Sequence, residues 1–269
     1  IRFSRQIMRS LIDSHCHIDF PQFDADRESI LGRCRQKGMS AILVPGVARS
    51  QWKRMLATLD QFNDATRFPR LLPAYGLHPC FMDQHEIDHL SSLENQLDTG
   101  AVAVGEIGLD TFHGETNYDA QVKLFKAQLA IAAERSLPVI IHSRKTQDQV
   151  LKLVRDQGFR SGGIMHAFSG SLQQAQQAVE QGFRIGFGGA ATYDRANRLR
   201  RILKALPREA IVFETDAPDI PPCFDREHPN SPLNLFRIVE ILAEVRQEPV
   251  EDLVACSTKN VLELLNIAC

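Results

Sequence analysis

Two histidines separated by one residue stand at the end of the first apolar run of the chain. In LIDSHCHID, the alternation of side chains along a strand places Asp13, His15 and His17 on one side. Two imidazoles that converge on one point can bind a divalent ion through neutral ring nitrogens. An isolated pair is equally compatible with two hydrogen-bonded histidines, so the interpretation depends on what the other strands contribute.

Four later apolar runs also end in a residue able to bind a metal. They deliver, in chain order, Glu106, His142, His166 and Asp216. A carboxylate at the end of a buried run costs free energy unless it meets a cation or hydrogen-bond donors, and a metal ion supplies that cation. A single histidine in such a place is often a satisfied core residue. Two of them on successive strands, beside HxH and Glu106, favour a shared metal site.

This set of residues exceeds the needs of one tetrahedral ion. It suits two divalent ions, Zn²⁺, Mg²⁺ or Mn²⁺, about 3.5 to 4 Å apart with open positions for water and substrate. The predicted ligands are His15, His17, Glu106, His142, His166 and Asp216. We predict that Glu106 bridges the ions, with the HxH pair and Asp216 around one and the later histidines around the other. The predicted chemistry is hydrolysis by a metal-activated water, with Glu106 and Asp216 as catalytic residues and Asp216 as general base.

Short apolar runs alternate with longer amphipathic stretches along the chain, which predicts eight strand–helix pairs. The predicted strands are 10–17, 41–47, 71–77, 101–108, 138–142, 162–167, 183–188 and 211–216. The predicted helices are 25–38, 50–62, 84–97, 119–135, 146–157, 171–181, 195–206, 231–246 and 250–265. This order favours an α/β fold, a (β/α)₈ TIM barrel, over an open doubly wound sheet, and barrel enzymes place their active sites at the C-terminal ends of the strands.

The bulk composition fits one domain over residues 1–269, in which 43% of residues are hydrophobic. If Met8 is the start, residues 1–7 form a leader.

The net charge of −2 gives no global basic field, so phosphate binding must come from local clusters. Six cysteines without a CxxC pair indicate free thiols in a reducing compartment. With no long apolar run, we expect a cytoplasmic protein that needs no membrane and no obligate protein partner, and acts as a monomer.

Seven short motifs carry a resemblance to a known family. DSHCHID, AYGLHP, VGEIGLD, VIIHSR, MHAFSG, IGFGG and ETDAPD occur in this order between residues 13 and 219. Together they resemble the TatD family of metal-dependent deoxyribonucleases, especially its YjjV-like branch. The resemblance implies a barrel of the amidohydrolase-like metal-dependent hydrolase superfamily, a divalent-metal centre with the ligands above, and hydrolysis of ester bonds. In several relatives that activity is deoxyribonuclease.

Three residues near the predicted ligands are candidates for substrate contacts. His78, in GLHP at the end of the third strand, can hydrogen-bond a substrate oxyanion or phosphate, or merely shape its loop beside a proline. Arg144 follows His142 by two residues and therefore points the same way, where its guanidinium can bind a phosphate. Asp110, in EIGLD, is suited to orient either a ligand or a substrate group.

Two further assignments concern the end of the chain's last predicted strand and the loop after it. Glu214 is placed one layer below Asp216, where it can contact a metal ligand. Asn230 begins NSP, which resembles an Asn-x-Pro that contacts substrate in similar proteins, although Leu233 stands where an acidic residue commonly follows. The arginine-rich stretch 194–201 fits either a phosphate site or an ordinary solvated helix face.

Three classes of function remain after these observations. The first is phosphodiester hydrolysis on DNA or a nucleotide end. The second is hydrolysis of a small amide, lactone, phosphotriester or carboxyl ester on the same barrel, including removal of an acyl group from transfer RNA, an activity reported for similar proteins. The third is a metal-binding regulator without catalysis, which requires an incomplete ligand set. Glu106, at a place where many amidohydrolases use a carboxylated lysine, favours the first class.

Overall fold

Eight parallel strands form one sheet in which the strands follow the order of the chain. A computed structural model describes residues 11–86, 88–112, 114 and 116–267, so the predicted leader and start residue lie outside the described residues. The strands are β1 (Leu11–Asp13), β2 (Met39–Pro45), β3 (Arg70–Tyr75), β4 (Ala103–Asp110), β5 (Val139–Arg144), β6 (Gly163–Met165), β7 (Phe183–Phe187) and β8 (Ile211–Phe213). Each strand pairs in parallel with the next, and the predicted TIM barrel is confirmed.

Helices connect successive strands and cover the outside of the barrel. They are α1 (Arg27–Lys37), α2 (Arg49–Gln61), α3 (His89–Leu97), α4 (Tyr118–Glu134), α5 (Gln147–Asp156), α6 (Leu172–Glu180), α7 (Asn197–Ala205), α8 (Leu235–Arg246) and α9 (Val250–Leu264). Within the described residues, no helix has the length and apolar character needed to cross a bilayer.

Both faces of the strands are apolar, which is why the runs read as continuous rather than alternating. One face packs inside the barrel, and the other packs against the helices: Ile12 and Leu43 belong to the inner cluster, while Leu11 and Ile42 belong to the outer one. Helix α9 contributes Val261 to the inner cluster, so it closes the N-terminal end of the barrel. The opposite end stays open to polar side chains.

The first and last strands meet through individual hydrogen bonds beyond their ends. Ser14 N donates to Phe213 O at 3.0 Å, and His17 N donates to Ala217 O at 2.8 Å. Cys16 and Ala217 form an isolated parallel bridge. These contacts close the barrel and hold the HxH segment beside the segment that follows β8.

Four predicted boundaries are wrong, two of strands and two of helices. The strand predicted over 10–17 ends at Asp13, and the one predicted over 211–216 ends at Phe213, because the next residues bond across the closure instead of continuing a ladder. The helix predicted over 84–97 begins at His89, after a 3-10 helix, Pro79–Gln84. The helix predicted over 231–246 begins at Leu235, because Pro232 starts a 3-10 turn. Proline favours the first position of a helical segment, where no N–H donor is needed.

Candidate metal centre

The six predicted ligands meet at the C-terminal end of the barrel around the carboxylate of Glu106. His15 Nε2 and His17 Nε2 lie 3.2 and 3.5 Å from Glu106 Oε2. His142 Nδ1 and His166 Nε2 lie 3.1 and 2.7 Å from Glu106 Oε1. Both carboxylate oxygens therefore face predicted ligands, two imidazoles each, and His78 Nε2 also lies 3.0 Å from Oε1. A carboxylate with ligands on both oxygens is able to bridge two ions.

Three predicted ligands, His15, His17 and Asp216, lie together on the side of Glu106 Oε2. We call them the A-side group. His15 Nε2 lies 3.3 Å from His17 Nε2 and 3.4 Å from Asp216 Oδ1. His17 Nε2 lies 3.7 Å from Asp216 Oδ1. Burial lowers the pKa of His15 well below its usual value and that of His17 to about 4. Both rings are therefore neutral, as metal ligands must be.

A buried aspartate braces the A-side group without joining it. The carboxylate of Asp13 accepts hydrogen bonds from Thr215 Oγ1 at 2.6 Å, Thr215 N at 3.0 Å and His15 N at 3.2 Å. Asp216 N donates to His15 O at 2.8 Å, and Asp216 has a left-handed φ of 57°. Asp13 was predicted to point the same way as the two histidines. It instead links the ends of β1 and β8, because regular alternation stops at that residue.

The B-side group, His142 and His166, surrounds Glu106 Oε1. His142 Nε2 donates to Asp110 Oδ2 at 2.7 Å, which leaves Nδ1 facing Glu106. Asp110 Oδ1 in turn accepts from Phe112 N at 2.7 Å. Burial opposes the charged form of Asp110, but the hydrogen bonds from His142 and Phe112 outweigh it and hold its pKa below the usual range. A carboxylate of this kind fixes the orientation of an imidazole ligand and raises its basicity.

Gly108 allows β4 and β5 to approach each other closely at His142. A Cβ built on Gly108 would lie 1.9 Å from His142 O, and the residue has φ +145°. Only glycine combines that conformation with that contact. The glycine of EIGLD therefore brings Asp110 within hydrogen-bonding distance of the His142 ring.

The charges of the centre fit a divalent cation. Burial opposes the charged form of Glu106, but His166, His78 and His15 outweigh it and hold its pKa well below the usual value. Burial raises the pKa of Asp216 well above normal, and Glu106 adds to the rise, so its ionised form needs a nearby cation. Imidazole nitrogens and carboxylate oxygens at these distances are the donors that Zn²⁺ and similar ions use.

Residues 12–266 match the family described as TatD related DNase. The chain belongs to the TatD family. The resemblance that the seven motifs indicated is confirmed, and this TatD-family chain is a metal-dependent hydrolase.

The relatives of this TatD-family chain match it over nearly its whole length. It is 38% identical over 259 residues to the uncharacterized metal-dependent hydrolase YjjV of Escherichia coli K12, which covers 95% of this chain and 98% of that protein. It is 30% identical over 259 residues to YabD of Bacillus subtilis 168, covering 96% and 99% of the two chains. The crystal structure of YjjV, a TatD homolog from E. coli K12, matches with a TM-score of 0.91 at 37% identity, covering 98% of this chain and 100% of that one.

His78 lies against the central carboxylate of this TatD-family site. Its Nδ1 accepts a hydrogen bond from Cys80 N at 3.0 Å, so the ring proton is on Nε2, 3.0 Å from Glu106 Oε1. His78 also caps the 3-10 helix that follows β3. It thus shapes its loop, as one of the two interpretations predicted, and donates to Glu106, which neither interpretation included.

Arg144 lies at the rim of the barrel with its guanidinium exposed. Its Cζ stands 3.4 Å from the centre of the Phe112 ring, and Lys145 Nζ stands 4.9 Å from the same ring. Phe112 is 42% exposed, which is unusual for so large an apolar side chain. The two cations and the ring form a basic rim segment next to the B-side group.

Asn230 is buried in the loop after β8 and has no N–H left for a substrate. Its amide nitrogen donates to Thr215 O at 2.8 Å and to Ile220 O at 3.1 Å. Its oxygen accepts from Ser231 N at 2.8 Å and from Asn234 Nδ2 at 3.1 Å. The predicted substrate contact therefore has no free donor to make it, and Asn230 instead holds the loop that carries Asp216 in place.

Glu214 is a buried carboxylate close to two of the predicted ligands, His15 and His166. Its Oε1 accepts from Ala167 N at 2.5 Å. Glu214, His15 and His166 each bring a potential ligand atom within 4.8 Å of the others, and the two rings stack at 3.9 Å. A Cβ on Gly186 would lie 2.4 Å from Glu214 Oε2, so glycine makes room for the carboxylate.

The arginine-rich stretch is largely occupied with contacts inside the protein. Arg198 donates to Ser169 O at 2.8 Å, and Arg200 pairs with Asp194 at 2.9 Å. Arg195 lies over the Tyr193 ring at 5.2 Å. These contacts favour the interpretation as an ordinary helix face.

We did not predict the two aromatic rings that border the centre. Phe20 stacks on His17 with ring centroids 4.6 Å apart, and Phe81 lies edge-on to His78 at 5.7 Å. Each ring comes three residues after its histidine, in HIDF and HPCF. That shared spacing was visible in the sequence.

Proposed function

We propose that this chain hydrolyses phosphodiester bonds in DNA or at nucleotide ends with two divalent ions. The observation that carries the proposal is the position of the Glu106 carboxylate among the predicted ligands. Its Oε2 lies 3.2 and 3.5 Å from His15 and His17, and its Oε1 lies 3.1 and 2.7 Å from His142 and His166. A pair of ions so held can stabilise both the attacking and the leaving oxygen of a displacement at phosphorus. The family description, TatD related DNase, supports the same class of substrate.

The ligand set also supports a choice of ion. Four imidazoles and two carboxylates favour Zn²⁺ or Mn²⁺ over Mg²⁺, which prefers oxygen ligands and retains its waters. Ions held here would supply Lewis acidity and a water molecule that ionises near neutral pH. His15, His17 and Asp216 with Glu106 would hold one ion, and His142 and His166 with Glu106 would hold the other.

The protein's own residues have separate tasks in this proposal. Asp216, whose side chain is 13% exposed at the open end of the centre, accepts the proton of the attacking water. His78 donates the hydrogen bond of its Nε2–H to Glu106 Oε1 and fixes the orientation of that carboxylate. Arg144 binds a non-bridging phosphate oxygen through its exposed guanidinium, which Phe112 holds at the rim.

A turnover screen tests the proposed reaction. Protein stripped of metal is reloaded with Zn²⁺, Mn²⁺ or Mg²⁺ and assayed on a dinucleotide, a carboxyl ester and a lactone. We expect dinucleotide hydrolysis to be the fastest reaction and to require the ion. Hydrolysis of the ester or lactone alone would contradict the proposal and favour the amidohydrolase-type alternative, including acyl-group removal from transfer RNA.

Arg144→Ala tests the substrate class within the same assay. A charge-assisted hydrogen bond contributes about 1.5–3 kcal/mol, so kcat/KM for the dinucleotide should fall roughly 10- to 100-fold with metal content unchanged. Arg155→Ala, which removes an exposed arginine from α5, serves as the matched control and should leave kcat/KM unchanged. An equal loss on a neutral ester would mean that Arg144 acts through structure rather than by binding phosphate.

A further inference from the structure

An open groove lies at the rim of the barrel, next to the A-side group. The loops after β1, β2 and β3 enclose it, and its volume is about 670 Å³, within the range of small-molecule sites. Its apolar walls and floor come from Phe20, Pro21, Val47, Ala48 and Phe81. None of these residues belongs to the predicted metal ligands.

The walls of the groove touch the metal centre directly. Phe20 stacks on His17 at a centroid distance of 4.6 Å and an interplanar angle of 22°. Phe81 meets His78 at 5.7 Å and 72°. The groove is therefore adjacent to the metal centre. One part of a substrate can lie in the groove while the bond to be cut lies at the centre.

The groove presents mostly neutral groups to an occupant. Arg54, its one lining cation among the described residues, forms an ion pair with Asp24, which Arg27 also contacts, and donates to Asp19 O at 2.6 Å. The remaining polar lining consists of amides and a hydroxyl, contributed by Gln22, Ser50, Gln51 and Gln84. Gln51 is fixed in place, because its oxygen accepts from Val47 N at 3.0 Å.

This chemistry differs from that of the basic rim segment beside the B-side group. Aromatic faces with amide edges suit a flat ring that carries donors and acceptors, whereas Arg144 and Lys145 suit a phosphate. We propose that the groove binds a nucleobase of the substrate, on a nucleotide next to the bond being cut. This inference rests on the proposed phosphodiesterase function and adds the subsite that holds the base.

The subsite is tested by comparing the wild type and one variant on two substrates, one with and one without the base. Phe81→Leu keeps the apolar bulk and removes the ring, and it is assayed on a dinucleotide and on the same molecule lacking the base at one end. Stacking on an aromatic side chain predicts a loss in kcat/KM of roughly 5- to 100-fold for the dinucleotide. The loss on the abasic substrate should be much smaller. Phe81→Tyr, which retains the ring, should keep the preference for the base-bearing substrate, and Leu172→Ala, a control at an exposed residue that begins α6, should match the wild type.

A binding measurement separates failure of the subsite from failure of the proposed reaction. Quenching of 2-aminopurine fluorescence in a bound nucleotide reports stacking whether or not the bond is cut. Quenching by the wild type that is lost in Phe81→Leu supports the subsite, even if no dinucleotide is hydrolysed. Equal quenching by both proteins overturns it, and so does an equal loss of turnover on base-bearing and abasic substrates. If Phe81→Leu does not fold, equal kcat/KM of the wild type on the two substrates overturns the proposal independently.

Discussion

The A-side and B-side groups use the same residue type but hold it in different ways. His17 Nδ1 on the A side faces the neutral carbonyl of Pro45 at 3.2 Å, whereas His142 Nε2 on the B side donates to the carboxylate of Asp110 at 2.7 Å. The His15 side chain is fully buried, while that of His142 is 18% exposed. The Glu106 carboxylate thus lies between one side, where a neutral carbonyl faces an imidazole, and another, where the carboxylate of Asp110 does.

The difference shows in the pKa values of the rings. Burial dominates on the A side and lowers the pKa of His15 and His17. On the B side burial also lowers the pKa, but Glu106 outweighs it and raises that of His166 to about 10, and Asp110 with Glu106 raises that of His142. We therefore expect the A-side imidazoles to bind an ion without losing a proton and the B-side imidazoles to lose one when the ion binds.

Asp216→Asn should have the largest effect and should fall on the A side. It keeps one oxygen but removes the proposed base, so kcat should decrease on the order of 10²- to 10⁴-fold. Metal stoichiometry measured beside kcat during a metal titration separates the roles: full occupancy with low kcat identifies a base, and rescue by excess ion identifies a ligand. Asp194→Asn, at a fully exposed aspartate, is the control. Wild-type turnover would remove Asp216 from the reaction.

Asp110→Asn should weaken the B side alone. Loss of a carboxylate that orients a ligand typically lowers metal affinity roughly 10- to 100-fold. Calorimetric titration of metal-free protein should show one weakened site and one unchanged site. Asp225→Asn removes a similar aspartate from His228, 2.8 Å away and outside the centre, and should change neither site. Equal weakening of both sites would contradict the division into two groups.

Binding of the B-side ion should become stronger as pH rises. A raised pKa means that His166 is protonated at neutral pH, so the ion must displace that proton. Affinity should rise with pH up to the pKa of about 10, by as much as about tenfold per pH unit for one displaced proton, and fall as pH decreases. Titrations at pH values between about 6 and 9 measure this slope for each site. A B-side affinity that does not change with pH would refute this expectation.

Glu214→Gln should have the smallest effect, a similar loss of metal affinity at both sites. Glu214 lies near His15 on one side and His166 on the other, but forms no direct hydrogen bond with either ring in the described residues. We expect a loss of metal affinity below about tenfold at each site, less than for a directly bonded carboxylate. The titration used for Asp110 measures it, with the exposed Glu263→Gln on α9 as control. A large loss confined to one site would show that Glu214 belongs to that group.

The sequence allowed the fold and the set of clustered residues to be predicted, because both depend on local patterns. An apolar run followed by His142 or Glu106 marks the middle to C-terminal part of a strand, and parallel strands bring their C-terminal ends to one rim. The pattern did not reveal which ring nitrogen faces the centre. That depends on the partner of the other nitrogen, and His142 turns Nδ1 inwards because Asp110 occupies Nε2.

Other features depend on contacts between distant parts of the chain. Ser14 Oγ bonds to Phe213 O, 199 positions away, and such contacts end β1 and β8 earlier than their sequences suggest. The same closure turns Asp13 into a brace for Thr215. Asn230 was assigned by resemblance to a motif, and resemblance does not reveal whether an amide is already fully hydrogen-bonded.

The position of helix α9 has a consequence for folding during synthesis on the ribosome. It packs against both β1 and β8, accepts from Phe213 N through Ser257 Oγ at 3.2 Å, and donates from Asn260 to Ile211 O at 2.8 Å. Strand β1 therefore cannot complete its packing until α9 has been synthesised. Until then, the N-terminal end of the barrel exposes apolar surface. A nascent chain in that condition is a natural client for chaperones, and ribosome stalling before α9 should leave it prone to aggregation.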